Sequence, residues 1–164
     1  MYQVEDRVSH PGHGACEVAD ICELDLTGQM VLYYKLIPCV QNGASVYVPT
    51  ANADMIGLRP LVTRAQAHSL MASLASADEK WHSDSMTKQK RYRSLFSSNT
   101  IESMQETLSV MSALIRRKEQ KELGSMDKSM LENIQQKVFS ELAQVLDISV
   151  GDAIQQAEEL VLQP

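Results

Sequence analysis

Three groups of side chains have types and spacings that could do chemistry. His10, His13 and Cys16 recur at successive intervals of three, a donor set suited to a metal ion or, joined by an acid, to a nucleophile and its base. Pro11, Gly12 and Gly14 in the same stretch make a turn that explains these residues without an ion, and no distant second ligand pair is evident. With no glycine-rich phosphate loop either, the expectation is no metal, no cofactor, no small-molecule substrate and no catalysis. The second group is Trp81, the only tryptophan, in the polar stretch EKWHSD. It reads either as an interdomain packing residue or as an apolar wedge at a base step, which costs a few kcal/mol of unstacking, and less where a duplex is already interrupted. The third group is basic. Lys88, Lys90, Arg91 and Arg93 follow Lys80 and are opposed only by Asp84. On a helix, positions 88, 91 and 95 or 90, 93 and 97 share a face, so two cations can align beside a phosphate backbone or simply form a solvated face. Arg116 and Arg117, with Lys118 and Lys121, form a second cluster in a last helical turn, where cations also suit the dipole.

This basic material sits on an acidic molecule. The 164 residues carry 15 Lys and Arg against 21 Asp and Glu, a net charge of −6, which argues against coating nucleic acid by overall charge. Residues 80–121 nevertheless hold nine basic and four acidic side chains, whereas residues 1–60 hold three and seven. No apolar run approaches the roughly 18 residues of a membrane span, and Glu5, Asp6 and Arg7 stand where the apolar part of a signal peptide would lie. Cys16, Cys22 and Cys39 are odd in number without Cys-x-x-Cys spacing, so neither a disulfide framework nor a zinc site is expected, and the cytoplasm is the expected compartment.

Two kinds of element must position these groups. From Tyr2 to Pro49, short runs rich in Val, Ile, Leu and Tyr alternate with turn clusters at His10–Gly14, Thr27-Gly28 and Asn42-Gly43. Met30 to Ile37 is apolar on both parities, as in a central strand with both faces partly covered. After Thr63 the period becomes 3.6. Thr63 with Gln66, Asn99 with Glu102, and Ser149 with Asp152 mark helix starts, and Ser125 is a further candidate cap. Ile101, Met104, Leu108, Met111 and Ile115 form one apolar stripe, and Leu131, Ile134, Val138, Leu142 and Val145 another. The reading is α+β, with a small five-stranded barrel over 1–62 and an all-helical domain over 63–164.

The ordered segments VSHPGHGACEV, GQMVLYYKLIP and GASVYVPTANADMIGLRPLVT, then Trp81, the cluster Lys88 to Arg93, LIRRKEQ and DKSMLENIQQKVFSELAQVL, resemble the CarD/CdnL family of bacterial RNA polymerase-binding transcription regulators. The resemblance covers nearly the whole chain. It implies a Tudor-like, SH3-like barrel that docks on the polymerase β subunit, and a helical domain that touches promoter DNA at the upstream edge of the melted bubble, tuning open-complex stability. It also implies that the protein is not an enzyme. The chain departs from the family pattern in three places. Glu5-Asp6 replaces a usual Gly-Asp, Tyr47 stands where some relatives carry an arginine before Val-Pro, and Arg91-Tyr92 lies ten residues beyond Trp81 rather than within a turn of it.

The resemblance places the docking face on the later strands, so Tyr33, Val46 and Tyr47 are the polymerase-binding candidates, with Tyr33 or Tyr34 alternatively core. Sheet edges are natural sites for such docking. The DNA-binding candidates are Trp81, Lys88, Lys90, Arg91, Arg93, Arg116 and Arg117, expected to contact promoter DNA weakly and without sequence preference. The alternative is an adaptor whose barrel binds a non-polymerase partner and whose helical half dimerises. Whether promoters are activated or repressed is not written in the chain, because a longer-lived open complex helps where opening limits and hinders where escape limits.

Overall fold

The strand that is apolar on both parities, β3 (Met30–Pro38), lies inside a five-stranded antiparallel sheet with β1 (Arg7–His10), β2 (Gly14–Asp25), β4 (Val46–Pro49) and β5 (Arg59–Pro60), in the order β4-β3-β2-β1-β5. The computed structural model describes residues 1–40 and 43–164, so Asn42 of the expected Asn42-Gly43 turn lies outside the described residues. Opposed residues in an antiparallel pair share a face. Val18 opposite Leu36, Ile21 and Val48 opposite Tyr34, and Val46 opposite Leu36 therefore build one face, sealed by Val8, Cys16, Ala53 and Leu58. Tyr34 is core, its hydroxyl accepting the Tyr2 N–H at 3.0 Å. The other face carries Cys22 and Pro49 opposite Tyr33, and Asp20 and Tyr47 opposite Lys35. A register shift between Val18 and Asp20 inserts one residue into β2, which bends the strand.

The ladders leave β4 and β5 as edges. A single helical turn, Thr50–Asn52, and the short α1 (Ala53–Ile56) carry the chain from one edge to the other. Of the expected barrel, the structure thus shows a five-stranded antiparallel sheet; with six helices the fold is α+β.

The remaining helices are α2 (Arg64–Ser73), α3 (Ser85–Leu95), α4 (Ile101–Gln120), α5 (Ser125–Leu146) and α6 (Val150–Leu162). Thr63 and Gln66 form the expected reciprocal cap, and Ser149 accepts the Asp152 N–H. The other two starts are shifted by one. Thr100 caps α4 with Ser103, not Asn99 with Glu102, because the Asn99 carboxamide is buried elsewhere, donating to the carbonyls of Ser9 (3.2 Å) and Gly57 (2.9 Å). Gly124, not Ser125, precedes α5, and it supplies no side-chain cap. Both expected stripes enter a single apolar cluster, which Leu70, Met71, Leu74, Leu95 and Phe139 join.

A buried carboxylate is central to the joint between sheet and helices. Glu141 of α5, 2% exposed, takes two charge-assisted bonds from Arg59 of β5 (2.7 and 3.0 Å) and the backbone N–H of Val62 at 2.8 Å. Arg59 Nε also donates to the Asn99 carbonyl at 2.8 Å. A buried carboxylate is tolerated when its oxygens are this fully bonded. Beside it, the Ala15 N–H donates to Ser140 Oγ at 3.0 Å, and Gly14, at φ +71°, approaches so closely that a Cβ there would collide with Ser140 and the Lys137 carbonyl. Only glycine meets both demands.

Glu5 is strained for the same conformational reason. It sits at φ +78° in a turn closed by Asp6 N–H to the Gln3 carbonyl at 3.1 Å, a left-handed geometry that costs a residue with a side chain roughly 1–2 kcal/mol. This is the position at which the family pattern has glycine. Glu5→Gly is therefore expected to raise the urea midpoint, by up to about 1 kcal/mol of unfolding free energy once the entropy of glycine is set against the relief. Glu141→Ala is expected to lower stability by about 3–5 kcal/mol, since it strands the Arg59 charge. Combining Arg59→Met with Glu141→Leu should recover most of that loss in the same urea experiment.

Candidate nucleic-acid interface

Trp81 lies in the segment between α2 and α3 and packs, half-buried, on the helical cluster rather than between sheet and helices. Its indole N–H donates to Asp127 Oδ2 at 2.9 Å. Asp127, in the first turn of α5 and 2% exposed, also accepts from Lys88 Nζ at 2.9 Å and from the Tyr92 hydroxyl at 2.6 Å. Burial alone would push the Asp127 carboxyl up. Hydrogen bonds from Tyr92, Trp81 and Lys88, with the ammonium charge, outweigh it and hold the group below 3.8, while burial and then the Asp127 bond push the Tyr92 phenol up. Two cations lie over the indole ring, Lys88 Nζ at 4.4 Å and the Arg117 guanidinium at 4.0 Å from its centroid. A desolvated cation over tryptophan is worth up to about 2 kcal/mol.

The structure separates the basic candidates into two kinds. Lys88 is committed to Asp127, Arg91 to Glu79 (3.0 Å) and Glu106 (3.2 Å), Arg116 to the Glu79 carbonyl (3.3 Å) and Ser112 (3.2 Å), and Arg117 to the indole. Lys90 and Arg93 are exposed, three apart on α3, and line a shared groove with Met86. Lys80, next to the indole in the chain, faces solvent as well. Asp84 caps α3 by accepting the Thr87 N–H at 2.9 Å, so the one acid in the basic run is also occupied. Charge and spacing located Trp81 and its neighbours but gave no sign of Asp127, whose place in a first helical turn reads as ordinary dipole compensation.

On the sheet, Tyr33 and Tyr47 meet on the face away from the core, rings edge-on with centroids 6.5 Å apart. Tyr33 is largely covered, Tyr47 is 41% exposed on the edge strand β4, and Val46 turns to the opposite face and packs against the inner cluster. The first group of residues does not assemble. Cys16 is buried in the sheet core, its thiol pushed up to about 12 by burial and then Cys39. His10 Nδ1 accepts the Gly12 N–H at 3.0 Å, and burial, His13 and Lys137 push its imidazole down to about 4. Among the described residues no group of three or more His, Cys, Asp or Glu could hold a metal ion.

The profile of the CarD-like/TRCF RID domain matches residues 2–62, and that of the CarD C-terminal domain matches residues 69–159. The chain belongs to the CarD-like family. A protein of Bacillus subtilis (strain 168) named "Putative transcription factor YdeB" is 26% identical over 150 residues, spanning 91% of this chain and 95% of its own. CarD-like proteins are transcription factors, and the RID module shared with TRCF implies an interaction with RNA polymerase. Among the described residues no helix is long and apolar enough to cross a membrane.

Because the chain has a single tryptophan, the buried carboxylate can be followed directly. Asp127→Ala leaves the Lys88 ammonium, the Tyr92 hydroxyl and the indole N–H without their acceptor, and is expected to cost about 3 kcal/mol and to shift tryptophan emission. The pH effect follows from the lowered carboxyl. Unfolded chains take up the proton first as pH falls, so the stability from Asp127 is present above the ordinary value of 3.8 and is lost as pH drops through the lower folded one. Urea midpoints of wild type and Asp127→Asn should therefore converge in acid.

Proposed function

We propose that this CarD-like chain regulates transcription by docking residues 1–62, as an SH3/Tudor-like barrel, on the β subunit of RNA polymerase. Residues 63–164 then meet promoter DNA at the upstream edge of the bubble and modulate the stability of the open complex. The observation that carries the reading is the indole of Trp81 clasped by Lys88 and Arg117, with the exposed Lys80 next to it in the chain and the exposed Lys90 and Arg93 on the outer face of α3. Lys90 and Arg93 meet phosphate directly. Phosphate oxygens also compete with the ring for Arg117, while Lys88 is held by Asp127, so the ring face under Arg117 becomes available for a base step only where a backbone is present to receive that cation. An intact duplex resists such insertion and a fork junction does not, which gives the open state the advantage. On the sheet, the Tyr47 edge with Tyr33 behind it is the docking surface. No step in this action needs an enzyme or a cofactor, and its place is the cytoplasm.

Magnitudes favour a tether. A net charge of −6 and a few phosphate contacts give weak binding at physiological salt. Docking on polymerase raises the local concentration of the patch to the order of mM, and a preference of about 1.4 kcal/mol for the melted state then shifts the ratio of open to closed complexes tenfold.

Open-complex lifetime measured with purified bacterial polymerase tests the proposal. Trp81→Ala and Trp81→Phe are both expected to alter the lifetime several-fold with polymerase binding retained, and Tyr47→Ala is expected to weaken polymerase binding itself. Unchanged lifetimes in both tryptophan variants would remove the wedge from the mechanism. Capture of partners other than polymerase by the intact protein, with no β subunit among them, would replace the whole reading by an adaptor role.

A further inference from the structure

The turn around His10 and His13 has no part in the transcriptional reading, yet it borders a cleft of about 420 Å³. Pro11 and His13 line it from the turn, Asn133 and Lys137 from α5, and Phe96 from the end of α3. Residues 133, 136 and 137 fall on one helical stripe, so the helix offers a polar row to the cleft. The volume lies within the usual range of small-molecule sites, about 300–1,000 Å³, which combine apolar walls with a few placed polar groups.

The ammonium of Lys137 is the unusual group. It is half-buried and stands 4.5 Å over the Phe96 ring, and among the described residues no carboxylate lies within ion-pair distance of it. Glu141, one turn further along α5, has both oxygens taken by Arg59 and the Val62 N–H. Burial first and the Arg59 guanidinium second push the Lys137 ammonium down to about 8, with Glu141 opposing. Among the described residues no acid lines the cleft. A partly desolvated cation without a carboxylate is a standing cost that an anion would relieve. The exposed Lys90 and Arg93 line a different groove, so the cleft lacks the row of cations that a phosphodiester backbone requires. One cation fits one anionic group.

We propose that this cleft binds a small organic anion, a phosphate or carboxylate attached to a flat apolar body, with the anionic group on Lys137 Nζ and the body against Phe96 and Pro11. Such a ligand touches the turn of the sheet and α5 together, and so adds a contact across the joint that Glu141 and Gly14 already close. The inference is independent of polymerase or promoter binding.

The test is calorimetric titration of the full chain with adenosine monophosphate, benzoate and inorganic phosphate, repeated on Lys137→Met and Phe96→Leu. Methionine keeps the apolar stem over the ring while removing the charge, so its thermal midpoint should match or exceed that of the wild type. Saturable one-to-one binding of an organic anion is expected, weakened about tenfold or more in Lys137→Met. Phe96→Leu should weaken the organic anion but not inorganic phosphate. A response to the nucleotide alone identifies a phosphate ligand, and to benzoate alone a carboxylate. Failure of both organic anions to saturate, or equal binding by Lys137→Met, overturns the proposal. So does the loss of duplex oligonucleotide affinity in Lys137→Met without any binding of the small anions, which would assign the cleft to nucleic acid.

Discussion

Helix α5 carries two buried carboxylates, and the arrangement of the molecule depends on both being satisfied. Asp127 and Glu141 are each 2% exposed and stand about four helical turns apart. A charge so placed is tolerated only when it is fully bonded, and each draws its donors from a distant part of the chain: Arg59 and Val62 for one, Trp81, Lys88 and Tyr92 for the other. Replacing an ion pair of this kind by apolar residues is often harmless, whereas removing one partner is not. The contribution of these acids is therefore specificity of arrangement more than net stability. Glu141 decides how the sheet meets the helices, and Asp127 decides where the indole and the basic helix α3 sit.

That division explains why a cluster of positive charge does not translate into an equally large cationic surface. Of the seven DNA-binding candidates, Lys88, Arg91, Arg116 and Arg117 have partners inside the molecule, leaving Lys90 and Arg93 for solvent on α3. The internal partners of Lys88 and Arg117 include the tryptophan ring itself. The proposed action on DNA thus couples two exchanges, the Arg117 cation from ring to phosphate and the ring from cation to base, against the hold of Asp127 on the indole N–H and on Lys88.

Much of the fold was legible because hydrophobic period is a local property. The change from strand patterning to a 3.6-residue period at Thr63, the both-sided β3 and the two helical stripes all appear where apolar spacing places them. Helix starts were legible only to within one residue. Asn99 has the right chemistry for a cap but a better use against Ser9 and Gly57, ninety and forty-two residues away in the chain, and no local pattern encodes that competition. The candidate site was legible in part for the same reason. Residue type and crowding point to Trp81 and the basic helix, but the acid that organises them is 46 residues beyond the indole and carries no mark of its burial. Val46 and Tyr47, adjacent in sequence, face opposite ways because a strand alternates, so a docking face taken as a run of neighbours includes one residue, Val46, that turns to the inner face and packs, partly buried, against the core.

The contact at Gly14 has a mechanical meaning. A backbone close against the Ser140 hydroxyl and the Lys137 carbonyl, with Arg59 paired to Glu141 nearby, ties one half to the other at several points close together. In the proposed arrangement, with the sheet held on a moving polymerase and α3 laid on DNA, any pull between the two passes through this joint undiminished. The first bond to yield is then the weak hold on DNA, and the protein lets go of the promoter before it loses its own shape.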